Sequence, residues 1–138
     1  VAEPRRAAGV VVVRRHDDGW RVLVLRAYRN WDFPKGLVEP DEPPQETARR
    51  EAAEEAGLTD LVFRWGDAYT ETPPYAGGKI ARFYVAESPG DPVTLRPSPE
   101  LGRPEHHEWR WEMFPAARHL LVPRLQRVLD WAGSVIGA

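Results

Sequence analysis

Cysteine is absent from this 138-residue sequence, which excludes a disulfide framework, a thiolate metal site and a thiol nucleophile. Any metal must then be held by oxygen or imidazole. Long apolar runs are also missing. Val10 to Val13 is the longest near the start, far below the ~20 residues of a membrane span and too short for a signal segment. Neither sign of charge dominates, with 19 Lys+Arg against 21 Asp+Glu and a net charge of −2. That balance lacks the electrostatic footprint of a protein gripping extended nucleic acid, while leaving room for a local basic site. The simplest address is the cytosol, with no membrane partner, as a monomer or weak dimer. The chain begins at Val1, which reads as a trimmed, replaced or disordered start, so residues 1–4 stay outside the fold reading.

What is present suits one domain over residues 1–138: the length is near the commonest domain size and 42% of residues are hydrophobic. Ala7 to Arg15 and Trp20 to Arg26 read as buried strands joined by an Asp17-Asp18-Gly19 hairpin turn. Tyr28 to Pro34 reads as irregular, and Lys35 to Pro40 as briefly extended. Pro44 to Ala56 is dense in helix formers, with prolines at its start and Gly57 just past its end. Asp60 to Trp65, Lys79 to Glu87 and Glu108 to Met113 read as strands, with a proline-rich loop over Ser88 to Pro104. Val122, Leu125, Val128, Leu129, Ala132 and Ile136 fall at helical spacing and predict a terminal amphipathic helix. Strands interspersed with helices imply an α/β or α+β layered fold around one sheet.

The helix over Pro44 to Ala56 carries the chemistry. At ~100° per residue, Glu51, Glu54 and Glu55 share one narrow arc. Each like-charge pair costs an isolated helix ~0.2–0.5 kcal/mol, so propensity does not explain the cluster, whereas a bound cation does. Hard divalent cations prefer such oxygen ligands, and Mg²⁺ combines a few carboxylates with waters and substrate phosphates. The plainer alternative is a solvated acidic face. Against it, Ala48, Ala52 and Ala56 form an adjoining stripe that lets the helix sit close to a sheet, bringing the acidic arc to the edge of that contact. Arg50 is placed to pair with Glu42 and fix the approach to the helix.

Gly36, Glu42, Arg50-Glu51-Ala52, Glu54-Glu55 and Gly57-Leu58 follow in register the signature of the Nudix hydrolases, which this chain resembles. The resemblance implies an αβα sandwich with a mixed central sheet. It implies Mg²⁺, with Mn²⁺ as substitute, on Glu51 and Glu55, with Glu54 as a further ligand or the residue that activates water. The Lys35 carbonyl enters as a backbone ligand, and Glu54, Glu55 and Arg50 form the catalytic set. Members hydrolyse a nucleoside diphosphate linked to another group.

The run Trp31 to Pro40 is similar to the Pro-Lys-Gly-His-Val-Glu-Pro segment of diadenosine tetraphosphate hydrolases, with Leu37 in place of the usual His. The likeness implies that Lys35 and Lys79 face a polyphosphate and that Glu105 completes the metal site, with Glu108 as its competitor. His106 and His107 read as solvated, with metal binding or proton transfer as the alternative. Tyr75, Trp31, Tyr28 and Tyr69 are candidates to stack on a base. Trp65, Trp109, Trp111 and Trp131 are assigned to the core. The expected activity is metal-dependent cleavage of dinucleoside polyphosphates to a nucleoside triphosphate and a mononucleotide. An RNA 5′ pyrophosphohydrolase, an enzyme for another nucleoside diphosphate-linked substrate and a catalytically silent nucleotide-sensing module are the alternatives.

Overall fold

β1 (Arg6–His16) is buried without interruption from Ala7 to Val13, as expected of a central strand covered on both faces. The structure, a computed structural model, describes residues 5–138; the expectation for residues 1–4 lies outside it. β1 pairs antiparallel with β2 (Gly19–Ala27) through the expected hairpin, and from Arg6 to Val13 in parallel with β6 (Ile80–Glu87). β6 pairs antiparallel with β5 (Tyr69–Glu71), and β7 (Glu108–Met113) lies antiparallel to β2. The result is a mixed seven-stranded sheet.

β1 and β2 are partners only where Val13 to His16 face Gly19 to Val22. Beyond that they part like a fork. The short strands β3 (Asn30–Asp32), on β2, and β4 (Lys35–Leu37), on β1, fill the opening.

Alternation along the strands divides the core into two layers. Val10, Val12, Leu23, Leu25, Tyr84 and Ala86 face α1 (Pro44–Ala56), which meets them with Ala48, Ala52 and Ala56. Val11, Val13, Val22, Val24, Phe83 and Val85 face the other way, under α2 (Phe114–Leu120) and α3 (Pro123–Ile136). The αβα sandwich is therefore observed. α1 ends at Gly57, whose φ of 70° suits a residue without a Cβ; Gly57 N–H donates to the Ala53 carbonyl and Leu58 N–H to that of Ala52.

Several expectations need correction. Asp60 to Trp65 is no strand: only Val62 bridges to Glu87, and the chain then turns at Gly66. The antiparallel neighbour of β6 is instead Tyr69–Glu71. Phe114–Leu120 is a helix that went unforeseen, being two turns long with Pro115 in its first turn. The segment read as irregular contains β3. Val122 caps α3 and is exposed, while Leu125, Val128, Leu129 and Ala132 form the buried stripe. Trp109 is 41% exposed on β7; Trp65, Trp111 and Trp131 are half-buried against the core as assigned.

Candidate active site

Packing the alanine stripe of α1 against β1 brings its acidic arc over the fork in the sheet, where β4 enters. Glu51 is 9% exposed and its Oε2 is buried with no hydrogen-bond partner; Arg50 Nη1 is 3.7 Å away. A buried carboxylate oxygen left without a partner is costly and calls for a cation. Gly36 makes room for it: a Cβ there would lie 2.2–2.3 Å from the Glu51 carboxyl atoms. Glu55 is also largely buried, and its Oε1 accepts a hydrogen bond from the Lys35 N–H at 2.8 Å. Glu54, on the outer side of the arc, is half-exposed and takes a hydrogen bond from Arg50 at 3.2 Å.

The loop before β7 closes this ring of anions. Ligand atoms of Glu55, Glu105 and His106 lie within 4.8 Å of one another. Glu105 faces the cleft, whereas Glu108 is turned away, accepting hydrogen bonds from Arg26 and Arg110 at 2.8 Å each. Those two guanidiniums hold the Glu108 carboxyl below its usual range. His106 is 6% exposed between Glu55 and Glu105, which corrects its reading as solvated; His107 is exposed and meets Tyr28 edge-on.

Burial first, then neighbouring anions, pushes the Glu55 carboxyl up to about 10 and that of Glu51 to about 7. Burial also lowers His106, against the pull of Glu105 and Asp32, so its ring is kept neutral and able to offer a lone pair. A dication reverses the cost of the crowded carboxylates, and the donor set of carboxylate oxygens with one imidazole fits one.

Arg50 positions the site from the side. It donates to Glu42 from Nε at 2.9 Å and from Nη2 at 3.0 Å, and to the Leu37 carbonyl at 3.1 Å. These bonds tie the loop after β4 to α1. Glu42 also accepts from Thr47 Oγ1 at 2.6 Å, and the Arg50 pair leads the causes that hold its carboxyl down at about 2.

The cations and aromatics sort less simply. Lys35 and Lys79 both line a cleft of about 720 Å³ with the carboxylates. The Lys35 ammonium is engaged by Asp32, and although burial works against its charge, that carboxylate keeps it above its ordinary value. Lys79 is half-buried and lowered by burial and by the nearby cations, Lys35 first. Tyr75 packs against the core beneath α3, with the Arg124 guanidinium 4.0 Å from its ring centre and Lys79 at 5.8 Å. Its ring is thus already covered by a cation, as is that of Tyr69 by Arg82 at 3.9 Å. Trp31 is buried in the core with Arg110 and Arg26 over it, so neither it nor Tyr69 offers a bare face to a base. Tyr28 is 67% exposed.

Missed in the sequence were the tether of Lys35 to Asp32 and the place of Arg96 and Ser98 in the cleft wall, while His106 had a site role there only as the alternative to a solvated one. The i,i+3 spacing of Asp32 and Lys35 was an available signal; the others depend on where a proline-rich loop folds back.

Residues 3–132 match the NUDIX domain. The chain belongs to the Nudix hydrolase family. It is 33% identical over 141 residues to an RNA pyrophosphohydrolase of Caulobacter vibrioides, covering 87% of this chain and 79% of that one. It is 30% identical over 118 residues to the asymmetrical bis(5′-nucleosyl)-tetraphosphatase of Mus musculus, covering 77% of each. Among solved structures, the binary complex of a C. elegans Ap4A hydrolase superposes with a TM-score of 0.82 at 26% identity, over 97% of this chain and 99% of that one. As a Nudix hydrolase with every carboxylate of the signature in place, the chain is an enzyme rather than a silent sensing module.

Proposed function

We propose that this Nudix hydrolase cleaves dinucleoside polyphosphates, with diadenosine tetraphosphate as the type substrate, to a nucleoside triphosphate and a mononucleotide. The observation that carries this reading is the juxtaposition in one cleft of buried, unsatisfied carboxylate with Lys35 and Lys79. An anionic end for metal beside a cationic wall for phosphate is what a phosphate chain needs. Likeness to the C. elegans Ap4A hydrolase over nearly the whole of both chains supports the same substrate class.

Glu51, Glu55 and Glu105, with His106, are the groups to hold Mg²⁺ or Mn²⁺, and the Lys35 carbonyl is the backbone group assigned to join them, its own N–H being bonded to Glu55. A dication bound there neutralises phosphate oxygens and lowers the pKa of a bound water. Glu54 is the carboxylate to accept a proton, because it faces the cleft half-exposed with Arg50 as its partner. Arg50 acts by holding the Leu37–Glu42 loop and Glu54 in place. Lys79 and Lys35 meet the phosphate chain, and Tyr28, exposed but outside the lining of the cleft, is the candidate left with a free face for a base; Tyr75 and Trp31, packed with the core and outside that lining, are not assigned to the substrate.

The RNA pyrophosphohydrolase of Caulobacter vibrioides favours a second reading, removal of pyrophosphate from a triphosphorylated RNA end, since the same metal and lysines would serve. Incubation with Mg²⁺ and a panel of diadenosine polyphosphates, ADP-ribose and a 5′-triphosphorylated oligonucleotide, ranked by kcat/KM, separates the two. Diadenosine tetraphosphate is expected to rank first. No turnover of it alongside rapid release of pyrophosphate from the oligonucleotide would reject the first reading for the second.

A further inference from the structure

The cleft wall opposite the sheet is built by the chain between β6 and β7, and its anchoring is specific. Val93 and Leu95 pack into the α1 layer, and Thr94 N–H donates to the Ala56 carbonyl at 2.9 Å, capping the end of α1. The next residue after Leu95 is Arg96. Its Nε lies 3.4 Å from where a Cβ on Gly57 would sit, so its stem runs along the C-terminal end of the carboxylate helix and into the cleft. Beyond it the chain folds into a small hairpin, with Pro97 bridged to Pro104 and Ser98 N–H donating to the Arg103 carbonyl at 2.8 Å, before returning at Glu105. Arg96 is therefore held at its root by the core on one side and by the hairpin on the other.

Four cations line the cleft: Lys35, Arg50, Lys79 and Arg96. Lys35 is engaged by Asp32, and Arg50 by Glu42, Glu54 and the Leu37 carbonyl. Among the described residues, no carboxylate lies within ion-pair distance of Lys79 or Arg96, and no hydrogen bond is made by either side chain. Arg96 stays unpaired although the same cleft contains five glutamates besides Glu39, including Glu100, which is taken up by Ser98 Oγ at 2.9 Å. A guanidinium on a fixed root, directed into an anion-lined cleft and not neutralised there, is suited to fork onto a phosphate.

We propose that Arg96 is a specificity-determining residue that binds phosphate oxygens at the loop-wall side of the cleft, so that the enzyme favours chains of three or more phosphates over diphosphates. The inference rests on the phosphate-chain reading of the cleft. Lys79 stands in the turn just before β6 and Arg96 on the loop wall, so a chain longer than two phosphates has two uncommitted cations of different origin to meet in the cleft. A nucleoside diphosphate linked to a sugar has too few anionic groups to use both.

The test compares wild type with Arg96→Ala and Arg96→Lys in Mg²⁺, using inorganic tripolyphosphate and pyrophosphate as probes in titration calorimetry. Arg96→Ala is expected to weaken tripolyphosphate about tenfold while changing pyrophosphate less than about twofold, with Arg96→Lys recovering part of the loss. Exposed and without partners, Arg96 is expected to be replaceable at unchanged Tm. Where diadenosine tetraphosphate is turned over, Arg96→Ala raises its KM by a similar factor with kcat nearly unchanged. Equal weakening of both probes, or no weakening of either, overturns the role of Arg96. Failure of the wild type to cleave any dinucleoside polyphosphate overturns the substrate reading instead, and the probe ratio still decides on Arg96.

Discussion

Two acids on one helix are held protonated by burial in the metal-free protein, and a dication binds there by displacing those protons. Glu55 and Glu51 are pushed up to about 10 and about 7, chiefly by burial, so near neutral pH the metal-free protein keeps a proton on Glu55 and a share of one on Glu51. The consequence for stability has a definite sign. Between about pH 4.5 and 7 the folded chain retains a proton on Glu51 that the unfolded chain has released, so stability falls as pH rises through that window, and Glu55 extends the fall toward pH 10. Urea unfolding in chelator should therefore show a lower midpoint at pH 8 than at pH 5, and Glu51→Gln should reduce the difference while leaving the share due to Glu55; equal midpoints in the wild type would contradict the burial assigned to these groups. Glu55→Gln mimics the protonated acid and still accepts the Lys35 N–H, so its metal-free stability should change by less than about 1 kcal/mol. Its turnover, and that of Glu54→Gln, should fall by about 10²–10⁴-fold. Matching losses of Tm and activity would mean that the carboxylate is structural. At this scale the sequence showed which acids cluster, because helical spacing alone brings them together, but not their burial, which is set by Gly36 and the fork in the sheet.

Among the elements, α1 was the most legible, since prolines, helix formers, the alanine stripe and Gly57 all agree. Its coupling to the loop before it was half-legible. Arg50 was assigned to Glu42, and the structure adds the Leu37 carbonyl and Glu54 to the same guanidinium. Arg50→Ala should cost about 1–3 kcal/mol, as the partly buried Glu42 loses its charged partner, and activity should fall further than stability because the loop over the carboxylates is released. Held at about 2 by its hydrogen bonds, Glu42 stabilises the fold above about pH 4.5, and that contribution is lost as pH falls toward 2. Glu42→Gln should then shift acid unfolding to higher pH, while an unshifted transition would show the loop to be held by other contacts. The elements that went unread are short or irregular: β3 and β5 have three residues each, and α2 has seven. Segments of that length carry at most about two periods of any pattern, well short of the window that periodicity needs, so only tertiary packing defines them.

At the scale of the whole molecule, the two-layer core over a mixed sheet was foreseeable from strand alternation and two amphipathic helices, and the family resemblance supplied the order of layers. The path of the 88–107 loop was not, because prolines mark a loop without saying where it returns; that return places Arg96, Glu105 and His106 in the cleft. Among the described residues no helix is long and apolar enough to cross a membrane. A ligand that binds only the folded state stabilises all of it. Mg²⁺ at a hundred times its Kd should add about 2.7 kcal/mol, raising Tm by roughly 5–10 °C, and a chelator should reverse the shift together with activity. A Tm indifferent to metal would separate the carboxylate cluster from folding.

The central claim, that the acidic arc of α1 holds a hard dication, is tested most directly by titrating Mn²⁺ into the metal-free protein and following the free ion by electron paramagnetic resonance. The wild type should take up Mn²⁺, Mg²⁺ should compete for the same site, and Glu51→Gln and Glu55→Gln should each weaken uptake by about tenfold or more while the protein remains folded. Uptake undiminished in the double variant Glu51→Gln, Glu55→Gln would place the metal elsewhere and contradict the account.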